Sequence, residues 1–529
     1  MTYWSTTFLV AFLPLTIIIY NIMPKKHRWK VLLLASYLFF FLVSKKLIVY
    51  IIVTTLLMYF GGLWIAKVQE KRNEELKDVE KEKKKEIKER YLKKQRWILT
   101  IISLIILGIL IVLKYSGFIC ENLDALFKAI KLPIEIPIPK FMLPIGISFY
   151  TLQAISYLID VYKEKIKADK NLGRVALFIS FFPQIMEGPI CRYSQTADAL
   201  YEGKKTSYEN LTFGLQRILF GLMKKTVVAD RLNAFILEEF NNYANYNGTV
   251  AMIGMIFYTL QLYMDFSGTM DIALGIGDIF GVKLPENFKQ PFFSKSISDF
   301  WTRWHITLGT WFRDYIFYPV SLTGFCKKIT TSARKKIGNY YGPLIASAIA
   351  LFCVWLSNGL WHGSAWSYIF FGMYHFCLIL LGRIFEPLVK KVNTKLHIDN
   401  KNFLYKGIQI VRTTCLVFIG ELFFRANTLE DGMQMFGKMF TNFSFETIFD
   451  GTILKMGLDI QDIIIVAVVV LAIFIIGIIK EKGINIREAI AKKNIFIRWT
   501  LYYALILTII IFGTYGIGYV PVDPMYANF

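Results

Sequence analysis

The sequence predicts an all-α polytopic membrane protein, and three observations predict it. Of 529 residues, 55% are hydrophobic and 16% aromatic, a bias too strong for a soluble chain of several amphipathic domains. Apolar runs approach or exceed the roughly 18–20 residues that cross about 30 Å of hydrocarbon. Basic clusters recur between those runs, as they do in cytoplasmic loops. Backbone inside hydrocarbon must satisfy its own hydrogen bonds, so the spans are expected to be helices.

The longest runs are Phe8–Met23, Leu47–Ala66, Ile98–Leu113, Met142–Ile159, Ile463–Ile479 and Trp499–Val520. Val31–Val43, Leu177–Ile190, Val250–Phe266, Leu344–Leu356, Trp366–Leu381 and Leu404–Phe424 are shorter or interrupted by glycine and polar residues. Together they give roughly eleven to thirteen spans. Residues 1–6 carry no lysine or arginine, whereas Lys25, Lys26, Arg28 and Lys30 follow the first run. A secretion signal has the reverse charge order, so the first run is expected to be a retained helix with its carboxyl end in the cytoplasm.

Two apolar runs separate Lys25–Lys30 from the charged stretch 69–97, which places the amino terminus outside. Gln69–Trp97 holds 12 basic and 8 acidic residues, and Glu80/Lys84, Glu86/Arg90 and Glu89/Lys93 stand at i,i+4. That spacing predicts a solvated helix projecting from the bilayer, serving as a spacer. Residues 115–140 then fall outside, ending in the extended Leu132-Pro-Ile-Glu-Ile-Pro-Ile-Pro139, and Lys163–Lys170 returns to the cytoplasm.

Beyond about residue 190, short apolar pieces and glycines predict re-entrant, interfacial or tilted helices around a central tunnel. Three regions follow: residues 1–114 with the charged loop, a core at 115–430, and carboxyl-terminal helices with an aromatic tail at 431–529. No internal repeat is evident, which argues against a transporter built from two similar halves.

The formal net charge of +22 fits positive-inside loops facing anionic membrane lipids. Nucleic acid is not an expected partner, because the basic residues form no folded soluble module. Six scattered cysteines show no disulfide framework and no metal or redox spacing, so no metal is expected.

Only five histidines occur, and two sit in tryptophan-rich stretches: Trp304-His305, within 299–315, and Trp361-His362, within 358–363. An imidazole near hydrocarbon loses hydration and marks places where protons move. If 299–315 is one helix, Phe300, Trp304, Trp311 and Tyr315 share one face, while Trp301, His305, Leu308 and Phe312 share another. Two readings of His305 stand: a hydrogen-bonded ring in an interfacial aromatic-arginine helix, or a functional group. His362 follows the breaker Ser357-Asn358-Gly359 and is bracketed by Gly359 and Gly363, which would let a substrate approach the backbone. A satisfied core histidine is the competing reading. No nucleophile triad or phosphate loop accompanies it, which favours direct base catalysis on a hydroxyl attacking an activated ester.

Phe300-Trp-Thr-Arg-Trp304-His305-Ile-Thr-Leu-Gly-Thr-Trp311-Phe-Arg-Asp314-Tyr315 and Gly359-Leu-Trp361-His362-Gly363 resemble the two signature histidine motifs of the membrane-bound O-acyltransferase family. The branch it resembles is that of bacterial alginate O-acetyltransferase-like proteins. Further similar segments are Phe181-Phe-Pro-Gln-Ile-Met-Glu-Gly-Pro189, Tyr263-Met-Asp265-Phe-Ser-Gly268, Asn287-Phe and Phe423-Phe-Arg425-Ala426. The resemblance implies a multi-pass protein of the bacterial cell membrane whose acyltransferase core is 115–430. It implies a cytoplasmic thioester donor, acetyl-CoA, used as a substrate with no permanently bound cofactor. It also implies a glycan acceptor and an extracytoplasmic transferase partner.

In that reading His362 resembles the catalytic histidine and His305 the second, tunnel-lining polar residue. Arg303, Trp304, Asp314, Asn358, Trp361 and Arg425 would support the cavity. His375 lies thirteen residues past His362, roughly 20 Å along a continuous helix, which fits a structural role. His27 and His397 fall in charged loops. Relatives often follow the first motif with a proline-leucine-glycine-glycine turn, where this chain has Tyr318-Pro319-Val-Ser-Leu-Thr-Gly324, so alginate itself is not specified. The tail Asp523-Pro-Met-Tyr526-Ala-Asn-Phe529 resembles aromatic endings whose tyrosine carries the acyl group; an interfacial tyrosine anchor is the other reading. The expectation is transfer of acetyl across the membrane to an exopolysaccharide or cell-wall glycan. The alternatives are D-alanyl transfer to teichoic acid from a carrier protein, and a glycan or lipid transporter.

Overall fold

The computed structural model describes residues 1–77, 79–515 and 519–523, and all regular structure among them is helical. Among the described residues, eight helical stretches are long and apolar enough to cross a membrane: 25–75, 81–129, 248–279, 324–362, 366–395, 403–425, 460–481 and 495–512. The first is itself two helices, Lys25–Ser44 and Ile48–Glu75, joined by the short turn Lys45–Leu47. Large apolar side chains face outward along these stretches, such as Ile464, Val468 and Leu471 on Ile460–Glu481. Such a belt is stable only against lipid tails, and this is a multi-pass membrane protein.

The chain divides into two compact units. In the first, residues 1–215 with 273–285, the helix Ile48–Glu75 packs against Lys81–Ala129 and Ile147–Tyr162. Small residues permit the approach: a Cβ on Gly61 would meet Ile102 at 2.7 Å, and one on Gly62 would meet the Tyr157 ring at 2.9 Å. The charged stretch is not one projecting helix but two arms of a hairpin, broken between Glu75 and Lys81. Arg90 pairs with Glu75 across the hairpin, Tyr91 donates to the same carboxylate at 2.7 Å, and Arg72 reaches Glu164 at 2.8 Å.

The run Met142–Ile159 becomes the shorter helix Ile147–Tyr162, which starts after Gly146 at φ 71°. Leu177–Ile190 divides into Leu172–Ser180 and Phe182–Ile185, with the backbone turning at Phe181. The amino-terminal run is packed rather than loose, since the Tyr3 hydroxyl donates to the Phe182 carbonyl at 2.5 Å and accepts from Met186 N–H at 3.1 Å.

In the second unit, residues 216–272 with 286–523, the long helices Gly324–His362 and Trp366–Lys395 pack against each other across a three-residue reversal. Gly359 and Gly372 set the spacing, because a Cβ would stand 2.5 Å from the Tyr368 carbonyl and 2.4 Å from that of Trp355, respectively. Gly338 (φ 83°) kinks the first of these helices. Phe403–Arg425 lies beside Trp366–Lys395, and Ile460–Glu481 beside the π-helical turn Lys224–Ala229.

Candidate active site

The first histidine motif does not form one helix. Ser296 caps Ile297–Arg303, the chain extends at Trp304, and His305 takes the left-handed conformation (φ 46°, ψ 51°) before Ile306–Phe312 begins. For a residue with a Cβ that conformation costs on the order of 1–2 kcal/mol, so the surroundings must enforce it. The segment beginning at Asn287 does so. Ile306 N–H donates to the Asn287 carbonyl at 3.0 Å, Thr307 N–H to Asn287 Oδ1 at 3.0 Å, and Lys289 N–H to the Arg303 carbonyl at 2.9 Å. The two faces expected of a continuous helix are therefore lost, although Phe300 and Trp304 still stack at 5.4 Å between ring centres.

The break buries His305 to 3% exposure between Phe266, at 4.8 Å, and Trp361, at 5.5 Å. The Asn287 carboxamide decides which ring nitrogen carries the hydrogen. Its Oδ1 already accepts from Thr307 N–H and, at 2.9 Å, from the Thr307 hydroxyl. Oδ1 also lies 3.3 Å from His305 Nδ1, but with Thr307 already donating to it twice, Nδ2 is the group that serves this nitrogen, at 3.2 Å, while also facing Met270 Sδ at 3.3 Å. Nδ1 is then an acceptor, and the hydrogen sits on Nε2, which meets no hydrogen-bond partner among the described residues. Burial pulls the imidazole down to about 3, so the ring is neutral at physiological pH. His305 presents a neutral N–H donor.

His362 ends the helix Gly324–His362, buried to 5%, with Trp361, Phe424 and Phe371 at 4.9, 5.0 and 5.9 Å between ring centres. The Trp361 ring thus touches both His305 and His362 and brings the two motifs together. The helix runs unbroken through Ser357-Asn358-Gly359, contrary to the expected unwinding there. The glycines allow close helix packing: the Tyr368 ring fills the space beside Gly363, where a Cβ would stand 2.1 Å from Cε2.

His375 is not 20 Å down a continuous helix. The reversal between His362 and Trp366 folds the next helix back, so Phe371 touches both rings, and Trp301 Nε1 donates to His375 Nδ1 at 3.3 Å. His375 thereby ties the second motif's helix to the first motif. His27 lies in the helix Lys25–Ser44, and His397 is exposed.

The supporting residues divide. Trp304 stacks on Phe300 and meets Phe288 and Tyr263. Asn358 is buried, and its Oδ1 accepts no hydrogen bond among the described residues. Arg303 turns outward to Asp299 and Glu481, at 2.9 and 2.7 Å, and Asp314 pairs with Arg313 at 3.1 Å. Those three are scaffolding ion pairs. Arg425 lies over the Phe240 ring at 4.9 Å and attracts Glu239 electrostatically. Tyr526 lies outside the described residues.

Three groups carry little signal in the sequence. Asn287 lies in a motif that gives it no evident role, yet its hydrogen bonds hold the turn at His305. Glu421, 1% exposed, sits within an apolar run, and Oε2 has no hydrogen-bond partner among the described residues. A lone carboxylate in such a run was the available signal. Glu239 is buried against Gly254, with neither carboxylate oxygen hydrogen-bonded among the described residues, and burial raises its carboxyl well above the usual range. No cluster of three metal-ligating side chains occurs among the described residues.

The multi-pass helical fold and the paired histidine motifs define a membrane enzyme class, and comparison identifies it. The sequence profile of MBOAT, the membrane-bound O-acyltransferase family, matches residues 80–419, and the chain belongs to that family. It is an O-acyltransferase. It is 32% identical over 445 residues to the probable alginate O-acetylase AlgI of Pseudomonas syringae pv. tomato, covering 83% of this chain and 75% of that protein. It is 30% identical over 348 residues to the peptidoglycan O-acetyltransferase of Helicobacter pylori (61% and 60% of the two chains). To the teichoic acid D-alanyltransferase of Bacillus subtilis it is 32% identical over 249 residues (47% and 60%).

Proposed function

We propose that this enzyme takes acetyl from cytoplasmic acetyl-CoA and passes it across the membrane for O-acetylation of an exopolysaccharide or cell-wall glycan. His362 acts as general base, and His305 offers its Nε2–H to the acyl carbonyl. The observation that carries this is the pair of buried imidazoles sharing the Trp361 ring, one of them with Nδ1 set against the Asn287 carboxamide. In the reaction the acceptor oxygen bonds to the acyl carbon as its proton passes to His362. The oxyanion takes a hydrogen bond from His305, the carbon–sulfur bond breaks, and the thiolate leaves with the proton. A positioned base contributes about 10²–10⁴-fold and an oxyanion donor about 10²–10³-fold.

Tyr526 is the proposed intermediate carrier. Thiol and phenol have ordinary values near 8.5 and 10, so an acyl-phenol sits between thioester and sugar ester in leaving-group ability. A separate extracytoplasmic transferase would complete delivery to the glycan. The residues 115–430 form the proposed acyltransferase core.

His362→Gln, stably inserted, should lose at least 10²-fold in acyl transfer; undiminished acylation would sink the assignment of His362 as the base. A second reading, D-alanyl transfer to teichoic acid, draws on the B. subtilis relative. Feeding cells labelled acetate or labelled D-alanine and analysing envelope polymers separates the two.

A further inference from the structure

The segment Tyr263-Met-Asp265-Phe-Ser-Gly268 carries more than ring contacts. Tyr263 packs on Trp304 and Phe266 on His305, and between them Asp265 faces Lys225, whose side chain is completely buried. Lys225 Nζ stands 2.7 Å from Asp265 Oδ1 and 2.9 Å from Asp230 Oδ1, and it donates to the main-chain carbonyl of Val522 at 2.8 Å. The same Asp230 oxygen accepts from Val522 N–H at 2.8 Å. Asn233 Nδ2 donates to the Val520 carbonyl at 2.9 Å and is itself held through Oδ1 by Gln261 at 3.1 Å. Upstream, Thr514 N–H donates to the Thr226 carbonyl at 3.0 Å, and the Arg231 guanidinium lies 5.7 Å from the Tyr519 ring.

Burying an ammonium and two carboxylates is costly unless their hydrogen-bonding capacity is met. Here the main-chain carbonyls of Val520 and Val522 and the N–H of Val522 help meet it. A polar slot that reads main-chain groups in this way is a peptide-binding device.

We propose that Lys225, Asp230, Asn233 and Asp265 are positioning residues forming a dock for this chain's own segment 519–523, held next to the ring cluster at His305 so that the following residues can receive and hand on the acyl group. The proposal rests on the reading of Tyr526 as acyl carrier. Asp265 is the sequence neighbour of Phe266, which touches His305, and the four residue steps from Val522 to Tyr526 reach up to about 14 Å when extended. In the handover the Tyr526 oxygen bonds to the acyl carbon, the carbon–sulfur bond breaks, and the phenol proton passes through His362 to the departing thiolate.

The test combines hydrogen exchange with a mutant cycle in the full-length protein. Residues 519–523 should exchange at least tenfold more slowly in the wild type than in Lys225→Met/Asp265→Asn, which removes one charge of each sign. Should that variant fail to fold, Asn233→Leu takes its place; it deletes the Val520 bond and the one from Gln261, whose amide still donates to the Ala229 carbonyl at 3.2 Å. Free exchange of 519–523 in the wild type, or full protection retained in the variant, overturns the dock. The variant should lose acyl transfer about tenfold, and no further loss should appear on a Tyr526→Phe background. Losses that multiply place the effect in the core and overturn the positioning role. Unchanged transfer by Tyr526→Phe overturns the carrier reading, while protection of 519–523 still judges the dock separately.

Discussion

Replacing Asn287 by aspartate tests the division of labour between the two histidines. The carboxylate keeps an acceptor for the Thr307 N–H and hydroxyl, at 3.0 and 2.9 Å in the native site, so the left-handed turn at His305 survives. Its second oxygen replaces the Nδ2 donor that faces His305 Nδ1 at 3.2 Å. Two acceptors cannot face each other, so the imidazole hydrogen moves to Nδ1 and Nε2 becomes a lone pair. The buried edge then changes from donor to acceptor. Losing one oxyanion donor costs about 10²–10³ in turnover, or about 2.7–4 kcal/mol of transition-state stabilisation. Asn287→Ala acts differently: it orphans the Thr307 N–H and His305 Nδ1 at about 1–3 kcal/mol each, so about 2–6 kcal/mol of stability is lost. Turnover of labelled thioester in proteoliposomes measures the first effect, and ¹⁵N spectra of histidine-labelled protein report the tautomer. Wild-type turnover in Asn287→Asp, or an unchanged tautomer, refutes the donor role.

Gly363→Ala should destabilise by about 1–3 kcal/mol, because its methyl would meet the Tyr368 ring at 2.1 Å; Tyr368→Ala in the same chain should recover most of that in thermal unfolding. Trp301→Phe deletes the 3.3 Å bond to His375 and should cost about 1 kcal/mol and some turnover, whereas loss of neither would free His375 from its bracing role. Glu239 has a raised carboxyl, so its contribution to stability is complete below the ordinary carboxylate range and is lost as pH rises through the folded value. Glu239→Gln should therefore match the wild type in acid and exceed it in alkali, and parallel unfolding curves across that range would contradict the assignment.

How much of this was readable in the chain varies with the physics involved. Span-forming runs were plain because burial in hydrocarbon needs only length and apolarity, as in Ile460–Glu481. The histidine motifs were visible because two of five histidines sat among tryptophans. The break at His305 was hidden: residues 299–315 have good helical periodicity, and the competing bonds come from Asn287, eighteen residues away. The hairpin within 69–97 escaped for a similar reason, since i,i+4 charge pairs within a helix cannot reveal that Arg90 reaches back to Glu75. The place of His375 is illegible in the sequence because residues 363–365 reverse the chain between two apolar helices.

The kink at Gly338 separates an exposed basic foot, with Arg334, Lys335 and Lys336, from the span that ends at His362. Glycine takes that backbone angle at little steric cost, so the bend between foot and span is written into residue 338 itself, and any other side chain there would strain it.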